Sequence, residues 1–263
     1  MPGGYMKATA RIEFESNGVK CYVKDNFAIL KLACNAFTTL ASLDQANKIL
    51  PWFDAIEQED SISGIIGVTE RNCMGEKSFE EFLSEVAGRN ISGNEDKYIS
   101  RFEKLELRAI EINMLVNVIR KIWGFKKLFI STINGEIVTP FFGISLAGDF
   151  RFASDDAKIL FSHVKYGIHP SGAIPFFLPK YINHQKAVEF MLKGGVLTSS
   201  EAKNLNLINE ILPSENFEEN CIKKAAGYAK MNLSLVRSTK GLIFRNMKEF
   251  EEYVQLEANY VFK

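Results

Sequence analysis

The sequence predicts an α/β fold with a helical C-terminal region. Early in the 263 residues, strand-like runs alternate with helix-like segments, and helical patterns dominate later. The clearest strands are continuously apolar, as strands covered on both faces are, and they lie at Phe27–Leu32, Ile62–Val68 and Leu128–Ile133. The clearest helices begin with capping boxes, in which a Ser or Thr is followed three residues later by Glu or Gln. With 46% hydrophobic residues, the chain can bury one sizeable core.

Local patterns predict further elements in the first half of the chain. Alternation of polar and apolar residues predicts strands at Arg11–Phe14 and Cys21–Lys24. The capping boxes start at Ser42, Ser78 and Thr198, so a helix is predicted to begin at each of them. Pro51 predicts a kink or break in the first of these helices, and Gly88 is expected to end the second.

Helix signals continue through the middle of the chain. Apolar residues recur with helical spacing from Arg101 to Trp123, and Gly124 is the predicted stop. The pair Thr139-Pro140 predicts another helix start, with Thr139 as the cap and Pro140 at the first helical position. The remaining predictions are short strands at residues 150–153 and 159–162 and helices from Asn183 onward, one of them over residues 215–230.

Composition excludes several classes of function. Lys plus Arg equals Asp plus Glu at 32 each, and the pI is about 6.9, so there is no basic excess to hold nucleic acid. No stretch approaches the roughly 18 apolar residues of a membrane helix. The four cysteines are scattered and form no C-x-x-C pair, so we expect free thiols, no metal site and a cytoplasmic location.

An ordered set of short motifs runs from residue 126 to residue 213. The motifs are Asn134-Gly135, Asp149, Ala153-Ser154, Lys165-Tyr166-Gly167-Ile168 with Pro170, Leu178-Pro179, and Leu205 to Pro213. In order and spacing they resemble the crotonase (enoyl-CoA hydratase/isomerase) superfamily. Upstream, Asn35–Thr38 and Ile65–Thr69 are similar to the segments that precede the family's first helix and first carbonyl-binding loop. The resemblance therefore covers most of the chain.

The resemblance implies a fold, an assembly and a substrate class. The fold is a crotonase-like spiral of β-β-α repeats over residues 1–195, followed by a helical region at 196–263 that builds homotrimers, often paired into hexamers. The substrate is an acyl thioester, usually of coenzyme A, with no other cofactor. Two backbone N–H groups hold its carbonyl so that an enolate can form, and losing one such donor typically costs about 3–4 kcal/mol of barrier.

The first donor is expected in the segment Cys73-Met74-Gly75-Glu76-Lys77. The resemblance places the donor N–H on Glu76, with Gly75 allowing close approach of the backbone. The alternative is an ordinary glycine-containing loop before the helix predicted at Ser78.

The second donor is expected in NGEIVTPFFGISLAGD, residues 134–149, where the family has a run of glycines. The resemblance places it on Pro140, which has no N–H. The next donors along the chain are Phe141 and Phe142, near a helix start where N–H groups are unpaired. Alternatively, Thr139-Pro140 only caps a buried helix, and the two aromatic side chains pack in the core.

The acid/base positions also depart from the family pattern. Where hydratases carry two glutamates, this chain has Gly143 and His163. Glycine cannot move a proton, whereas a histidine with a pKa near ~6.5 can. The alternative for His163 is a structural role. Glu136 lies close to Gly143 in sequence but on the strand side of the turn, so it is not a candidate acid/base residue.

Two functions follow from this pattern. The first is an enzyme on acyl thioesters that stabilises an enolate without the glutamate pair, as a decarboxylase or isomerase, with His163 as the proton donor. The second is a non-catalytic crotonase-fold subunit that binds a thioester or a partner protein. The segments LKLACNAFT and VKYGIHPSGAIPFFLPK are somewhat similar to crotonase-type decarboxylases of polyketide pathways, which also lack the glutamate pair.

The sequence allows alternatives for the carrier of the acyl group and for the walls of the acyl pocket. No basic residue stands just before Asn35, where the family contacts the coenzyme phosphates, so contacts would come from Lys31, Lys77 or a neighbouring subunit. A thioester on an acyl-carrier protein needs fewer of them. The stretch from Ile91 to Trp123 is longer than in the family; it either covers the acyl pocket or is a surface insertion.

Overall fold

A computed structural model describes residues 12–33, 36–92, 97–243 and 247–261 of the chain, and its strands form two sheets. The strands are β1 (Phe14–Ser16), β2 (Val19–Lys24), β3 (Phe27–Leu32), β4 (Gly64–Thr69), β5 (Leu128–Ile133), β6 (Glu136–Val138), β7 (Phe150–Ser154), β8 (Lys158–Leu160), β9 (Val196–Thr198) and β10 (Glu210–Leu212). The larger sheet has the order β1-β2-β3-β4-β5-β7-β10, and the smaller has the order β6-β8-β9.

Helices surround the two sheets. They are α1 (Ala36–Leu40), α2 (Leu43–Gln58), α3 (Glu76–Ala87), α4 (Leu105–Gly124), α5 (Thr139–Ala147), α6 (Ile174–Tyr181), α7 (His184–Lys193), α8 (Ser199–Asn204), α9 (Phe217–Ala225), α10 (Leu233–Ile243) and α11 (Met247–Val261). Short 3₁₀ helices lie at Ser162–Tyr166 and Tyr228–Lys230. The prediction of an α/β fold with helices dominating the C-terminal part is therefore confirmed.

The centre of the larger sheet is parallel and buried on both faces. β3, β4, β5 and β7 run parallel to one another, and β1 and β2 form an antiparallel edge beside β3. Alternate residues of one strand pack into different clusters: Ala28 and Leu30 face the main core, and Phe27 and Ile29 face a second cluster that includes α9. Burial of both faces explains why the predicted strands at 27–32, 62–68 and 128–133 read as continuous apolar runs.

Successive strands are shared between the two sheets, and this arrangement positions the helix starts. β5 and β7 join the larger sheet, and the strands that follow each of them, β6 and β8, join the smaller one. β6 leads directly into α5. Met74, two residues before α3, forms a bridge with Ile137 of β6, and the Val138 N–H donates to the Met74 carbonyl at 2.9 Å. The beginnings of α3 and α5 are therefore held side by side.

Two predicted features of the first helices, the break at Pro51 and the start at Ser78, differ from the structure. α2 begins after Ser42 as predicted but continues through Pro51 without a break, because Trp52, Phe53 and other buried side chains hold the helix on the core. α3 begins at Glu76 with Gly75 as its N-cap, so Ser78 is inside the first turn and caps nothing. The Phe79 N–H donates to the Gly75 carbonyl at 3.2 Å, which starts the helix early.

The predicted cap of α5 is also wrong. Val138 is the N-cap, and Thr139 is the first helical residue, so Pro140 stands second. The Thr139 hydroxyl is engaged elsewhere: its Oγ1 lies 3.3 Å from the Leu160 carbonyl oxygen and 3.1 Å from Nδ1 of His163. Tertiary contacts thus compete with capping for this hydroxyl.

The long helix and the C-terminal region complete the fold. α4 begins at Leu105 rather than at Arg101 and ends at the predicted Gly124. Thr198 caps α8 with a complete capping box, as predicted. The strands β9 and β10 were not predicted, and they pair with β8 and β7. The division at residue 195 stays a prediction. Cys34, Asn35 and Arg11, which carried sequence predictions, lie outside the described residues.

Candidate functional site

The side-by-side starts of α3 and α5 border a small apolar cavity of about 60 Å³. Met74 comes from the segment before α3, and Phe141 and Ile144 come from α5. Val118 and Ile122 of α4 close another wall, so the long helix covers this cavity rather than standing out as a surface insertion. Its remaining lining residues are Leu30, Leu32, Ile49, Gly67, Val68, Thr69, Phe129, Ser131 and Thr132.

The N–H group predicted as the first donor already holds a carboxylate. The Glu76 N–H donates to Oε2 of Glu136 at 3.4 Å, and the Glu136 N–H is in turn held by Oδ1 of Asn72 at 2.9 Å. Gly75 is packed so closely that an added Cβ atom would lie 2.9 Å from the Glu136 Cβ. Gly75 is therefore packed against Glu136, which was not a candidate from the sequence, and the substrate-binding role of Gly75 stays a prediction.

The second predicted donor position, Pro140, is the second residue of α5 and has no N–H. The first turn therefore offers the N–H groups of Thr139 and Phe141. In a regular α-helix that starts at Thr139, the Phe142 N–H is directed at the Val138 carbonyl. The aromatic rings of this turn pack in the core: Phe141 meets Phe37 at 4.4 Å between ring centroids.

Gly143 is a glycine because another backbone segment lies against it. A Cβ atom added there would be 1.7 Å from the Gly172 carbonyl oxygen, far inside contact distance. Gly172 itself has φ +76°, and a Cβ on it would be 2.3 Å from the Pro140 carbonyl oxygen. The two glycines let residues 171–173 cross directly over the first turn of α5. No side chain fits at the position where the resemblance implies a glutamate.

His163 lies buried in the first 3₁₀ helix rather than at the end of a strand. Its Nε2 is 2.8 Å from the Met191 carbonyl, which can only accept, so Nε2 carries the proton. Nδ1 is then the acceptor for the Thr139 hydroxyl at 3.1 Å. Burial lowers the pKa of His163, against a smaller opposing effect of the Met191 carbonyl, so the ring is neutral at pH 7. Both ring nitrogens are therefore engaged in positioning neighbours.

A second polar group at the start of α3 was missed by sequence reasoning. The buried Tyr166 hydroxyl lies 3.0 Å from carboxylate oxygens of both Glu76 and Glu80, and Lys165 pairs with Glu76 at 2.9 Å. Burial and the two carboxylates raise the pKa of Tyr166, so it stays protonated. The signal was available in part, because Glu76 and Glu80 have the i, i+4 spacing of one helix face. The cluster ties the first 3₁₀ helix to α3.

Three basic residues differ in their availability for phosphate contacts: Lys31 and Lys77, which the sequence suggested, and Arg71, which it did not. Lys31 is paired with Glu218 at 2.7 Å, and Tyr22 donates to the other oxygen of that carboxylate. Arg71, near the start of α3, is paired with Asp156. Lys77 is exposed on α3. Two of these three cations are therefore neutralised by carboxylates of the chain itself.

Among the described residues, no group of three or more His, Cys, Asp or Glu side chains is placed to hold a metal ion. None of the helices in the described part of the chain is long and apolar enough to cross a membrane. Cys21 and Cys221 are buried free thiols, and burial raises the pKa of both.

The segment that covers α5 is held from the other side by Glu257 of α11. Its Oε1 accepts from the Ala173 N–H at 3.3 Å, and Tyr253 also donates to this carboxyl group. Burial raises the pKa of Glu257 to about 7. The charge of Arg108 lowers this pKa, and the charge of Glu111 raises it.

Replacing Glu257 with Gln should reduce the pH dependence of stability. A carboxyl group whose pKa is about 7 when folded and ~4.3 when unfolded binds more protons in the native state between these values, so stability falls as pH rises through them. The shift corresponds to roughly 4 kcal/mol. We therefore expect Glu257→Gln to lose less stability than the wild type between about pH 5 and pH 8 in denaturant titrations. Parallel pH profiles for the two proteins would contradict this.

Comparison with known proteins supports the same class of fold. A crystal structure of an enoyl-CoA hydratase from Bacillus halodurans superposes with a TM-score of 0.75 at 22% identity, covering 94% of this chain and 96% of that one. A second, from Mycobacterium avium subsp. paratuberculosis, has a TM-score of 0.71 at 16% identity over 94% of this chain and 93% of that one. The fold is therefore crotonase-like, as the sequence predicted.

Sequence comparison then places the chain in a family. The profile of the enoyl-CoA hydratase/isomerase family matches residues 92–261. The chain belongs to this family. It is 33% identical over 129 residues to enoyl-CoA delta isomerase 2 of Rattus norvegicus, which is 48% of this chain and 32% of that protein. It is 25% identical over 163 residues to 4-chlorobenzoyl coenzyme A dehalogenase-1 of Arthrobacter sp, which is 62% of this chain and 54% of that protein. The chain thus spans about a third to a half of these relatives.

Proposed function

We propose that the chain binds an acyl thioester with the acyl group in the small cavity between the starts of α3 and α5. The observation that carries the proposal is the Glu76 N–H, which holds an anionic oxygen of Glu136 beside the cavity residue Met74. An N–H at a helix start that binds a carboxylate oxygen is suited to a thioester carbonyl and to the enolate formed from it. Phe141, which lines the same cavity, offers the second N–H in place of Pro140.

The reaction that fits this site best is decarboxylation or isomerisation rather than hydration. Hydration needs acid/base side chains on both sides of the substrate, and Gly143 has no room for one. Decarboxylation needs no base for its first step, because the electrons of the broken C–C bond move onto the thioester carbonyl as CO₂ leaves. The resulting enolate then takes up one proton. The sequence predicts His163 as the donor of this proton. The two hydrogen bonds of its ring favour a positioning role instead.

The carrier and the assembly are part of the proposal. Because Lys31 and Arg71 are already paired, we propose a thioester whose pantetheine arm, not its nucleotide, is recognised, as on an acyl-carrier protein. The homotrimer or hexamer implied by the resemblance is supported by exposed apolar side chains on α10, at Leu235, Leu242 and Ile243. Light scattering measures this assembly directly.

The test removes the carboxylate that occupies the donor. Glu136→Ala should increase the affinity for acetyl-CoA, measured by calorimetry, on the order of tenfold, because the carbonyl no longer competes with a charged acceptor. The affinity for free coenzyme A should not change. Acetyl-pantetheine is titrated alongside, and retention of its binding supports recognition of the arm alone. Glu81→Ala is the matched control, since Glu81 is exposed on α3.

A ratio of acetyl-CoA to coenzyme A affinity that is the same in the wild type and Glu136→Ala would contradict the proposed carbonyl site. The second candidate, a non-catalytic thioester-binding subunit, is favoured by the two engaged nitrogens of His163. Incubation with malonyl-CoA and crotonyl-CoA separates the candidates. Release of CO₂ from malonyl-CoA without hydration of crotonyl-CoA supports the enzyme, whereas tight binding with no turnover of either supports the binding subunit.

A further inference from the structure

A second cavity of about 540 Å³ lies beside the end of the first 3₁₀ helix. It is bounded by the loop that contains Ile99 and Phe102, the first turn of α4, the segment Gly167–His169, and Tyr260 near the end of α11. It shares no lining residue with the cavity between α3 and α5. Its volume is within the range of about 300–1,000 Å³ that is ordinary for small-molecule sites.

One buried cation in this cavity has an unused donor. Arg108 is only 1% exposed, and its guanidinium lies 5.5 Å from the centre of the Phe102 ring. Nη1 donates to Oε2 of Glu111 at 2.5 Å. Nε has no hydrogen-bond partner among the described residues, although it is fully buried. A buried donor without a partner is unfavourable, so an acceptor from outside the described residues is expected here.

A second unused nitrogen lines the same cavity. Nε2 of His169 is buried and has no partner in the described part of the chain. Burial and the nearby charge of Arg108 lower the pKa of His169 to about 4, so its ring is neutral at pH 7. A neutral ring can carry its proton on Nε2 and donate it to an acceptor.

The charged side chains among the described residues that line the cavity are both arginines. Arg101 lies at its rim and Arg108 in its wall, and no carboxylate is among the described residues that line it. Glu111, which pairs with Arg108, and Glu257 are not among the lining residues, and each has one buried oxygen without a described partner. Phe102 and Ile99 supply apolar surface next to the guanidinium. The arrangement combines donors for one anionic group with a surface for a flat apolar body.

We propose that this cavity binds a small carboxylate with an apolar or aromatic body, the carboxylate accepting from Nε of Arg108 and Nε2 of His169. Guanidinium groups bind carboxylates through charge-assisted hydrogen bonds, which are about twice as strong as neutral ones. The site shares no lining residue with the cavity proposed for the thioester. A bound water molecule is the competing occupant, and the experiment distinguishes the two occupants.

The probe is benzoate, compared with its neutral analogue benzamide, and binding is followed by calorimetry and ligand-observed NMR on the whole chain. Benzoate should bind at least on the order of tenfold more tightly than benzamide, since only benzoate forms charge-assisted hydrogen bonds. Equal binding of the two, or no binding of benzoate, would overturn the proposal, the latter leaving a water molecule as the partner of Arg108.

The variants are chosen so that an effect on folding can be distinguished from an effect on benzoate affinity. Arg108→Met alone would leave Glu111 buried without its partner, so the main variant is Arg108→Met with Glu111→Met, which removes the pair together. It should lose benzoate affinity at least on the order of tenfold while its thermal unfolding remains cooperative. Lys77→Gln, at an exposed position on α3, is the control and should bind benzoate like the wild type. Unchanged benzoate binding in the double variant would overturn the assignment.

Discussion

Gly143→Ala is expected to lower the free energy of unfolding by at least ~3 kcal/mol. The added Cβ atom would stand 1.7 Å from the Gly172 carbonyl oxygen, which is backbone and cannot rotate away as a side chain can. Relief requires residues 171–173 to move off α5, and Glu257 holds that segment through the Ala173 N–H. The measurement is denaturant unfolding of the variant and the wild type.

The matched control is Gly241→Ala on α10. A Cβ atom there meets no atom of the described residues within 4 Å, so this variant should be more stable than the wild type by up to ~1 kcal/mol, the helix-propensity difference between the residues. If Gly143→Ala is as stable as Gly241→Ala, the crossing of residues 171–173 over α5 is wrong. The same contact means that Gly143→Glu cannot restore a hydratase glutamate without rebuilding this segment.

Lys240→Met is expected to cost about 3–5 kcal/mol of stability. Lys240 of α10 pairs with Asp149 at 2.7 Å and donates to the Lys127 carbonyl at 2.8 Å. Asp149 also accepts from the Phe129 N–H at 2.8 Å, so the pair fastens α10 to β5 and to the start of β7. Removing the lysine leaves a buried carboxylate whose charge has lost its partner.

The pH dependence of this loss identifies its cause. Burial raises the pKa of Asp149, and the ammonium of Lys240 opposes that rise. Without Lys240 the folded-state pKa rises further, so the protonated form is favoured and stability falls as pH increases through the raised value. Lys240→Met should therefore lose more stability at about pH 8 than at about pH 5.

The control for Lys240→Met is Arg237→Met on the same helix. Arg237 pairs with Asp60 at 3.6 Å, and side-chain exposures of 40% and 93% leave this pair in water. An exposed pair contributes about 0–1 kcal/mol, so the control should be close to the wild type. A loss for Lys240→Met no larger than that of Arg237→Met would contradict the buried pair.

The consequences for function follow from the same packing. The position that would carry a catalytic glutamate is filled by the backbone of Gly172, and the histidine at the other position has both nitrogens engaged. What remains beside the cavity is a pair of helix starts and one internal carboxylate, Glu136. We therefore propose that the site holds a carbonyl oxygen rather than adding water, and the thioester titrations test this proposal.

Much of the fold was predictable because its signals are local. The strands β3, β4 and β5 are continuous apolar runs, and the helix starts after Ser42 and Thr198 are capping boxes; each pattern depends on residues within a few positions of one another. The ordered motifs of residues 126–213 were enough to place the chain in its family. Predictions failed where a distant contact competed, as at Thr139, whose hydroxyl turns to His163 instead of capping α5.

The sequence by itself therefore determined the α/β class, the main strands and helices, the family, and the absence of a glutamate at Gly143. Only the tertiary structure decided what occupies the site: Glu136 on the Glu76 N–H, Gly172 against Gly143, and Met191 on His163. The physical reason is that each of these contacts joins residues about 28 to 60 positions apart. Periodicity and capping report on a few neighbouring residues, whereas such contacts depend on how the two sheets and their helices pack.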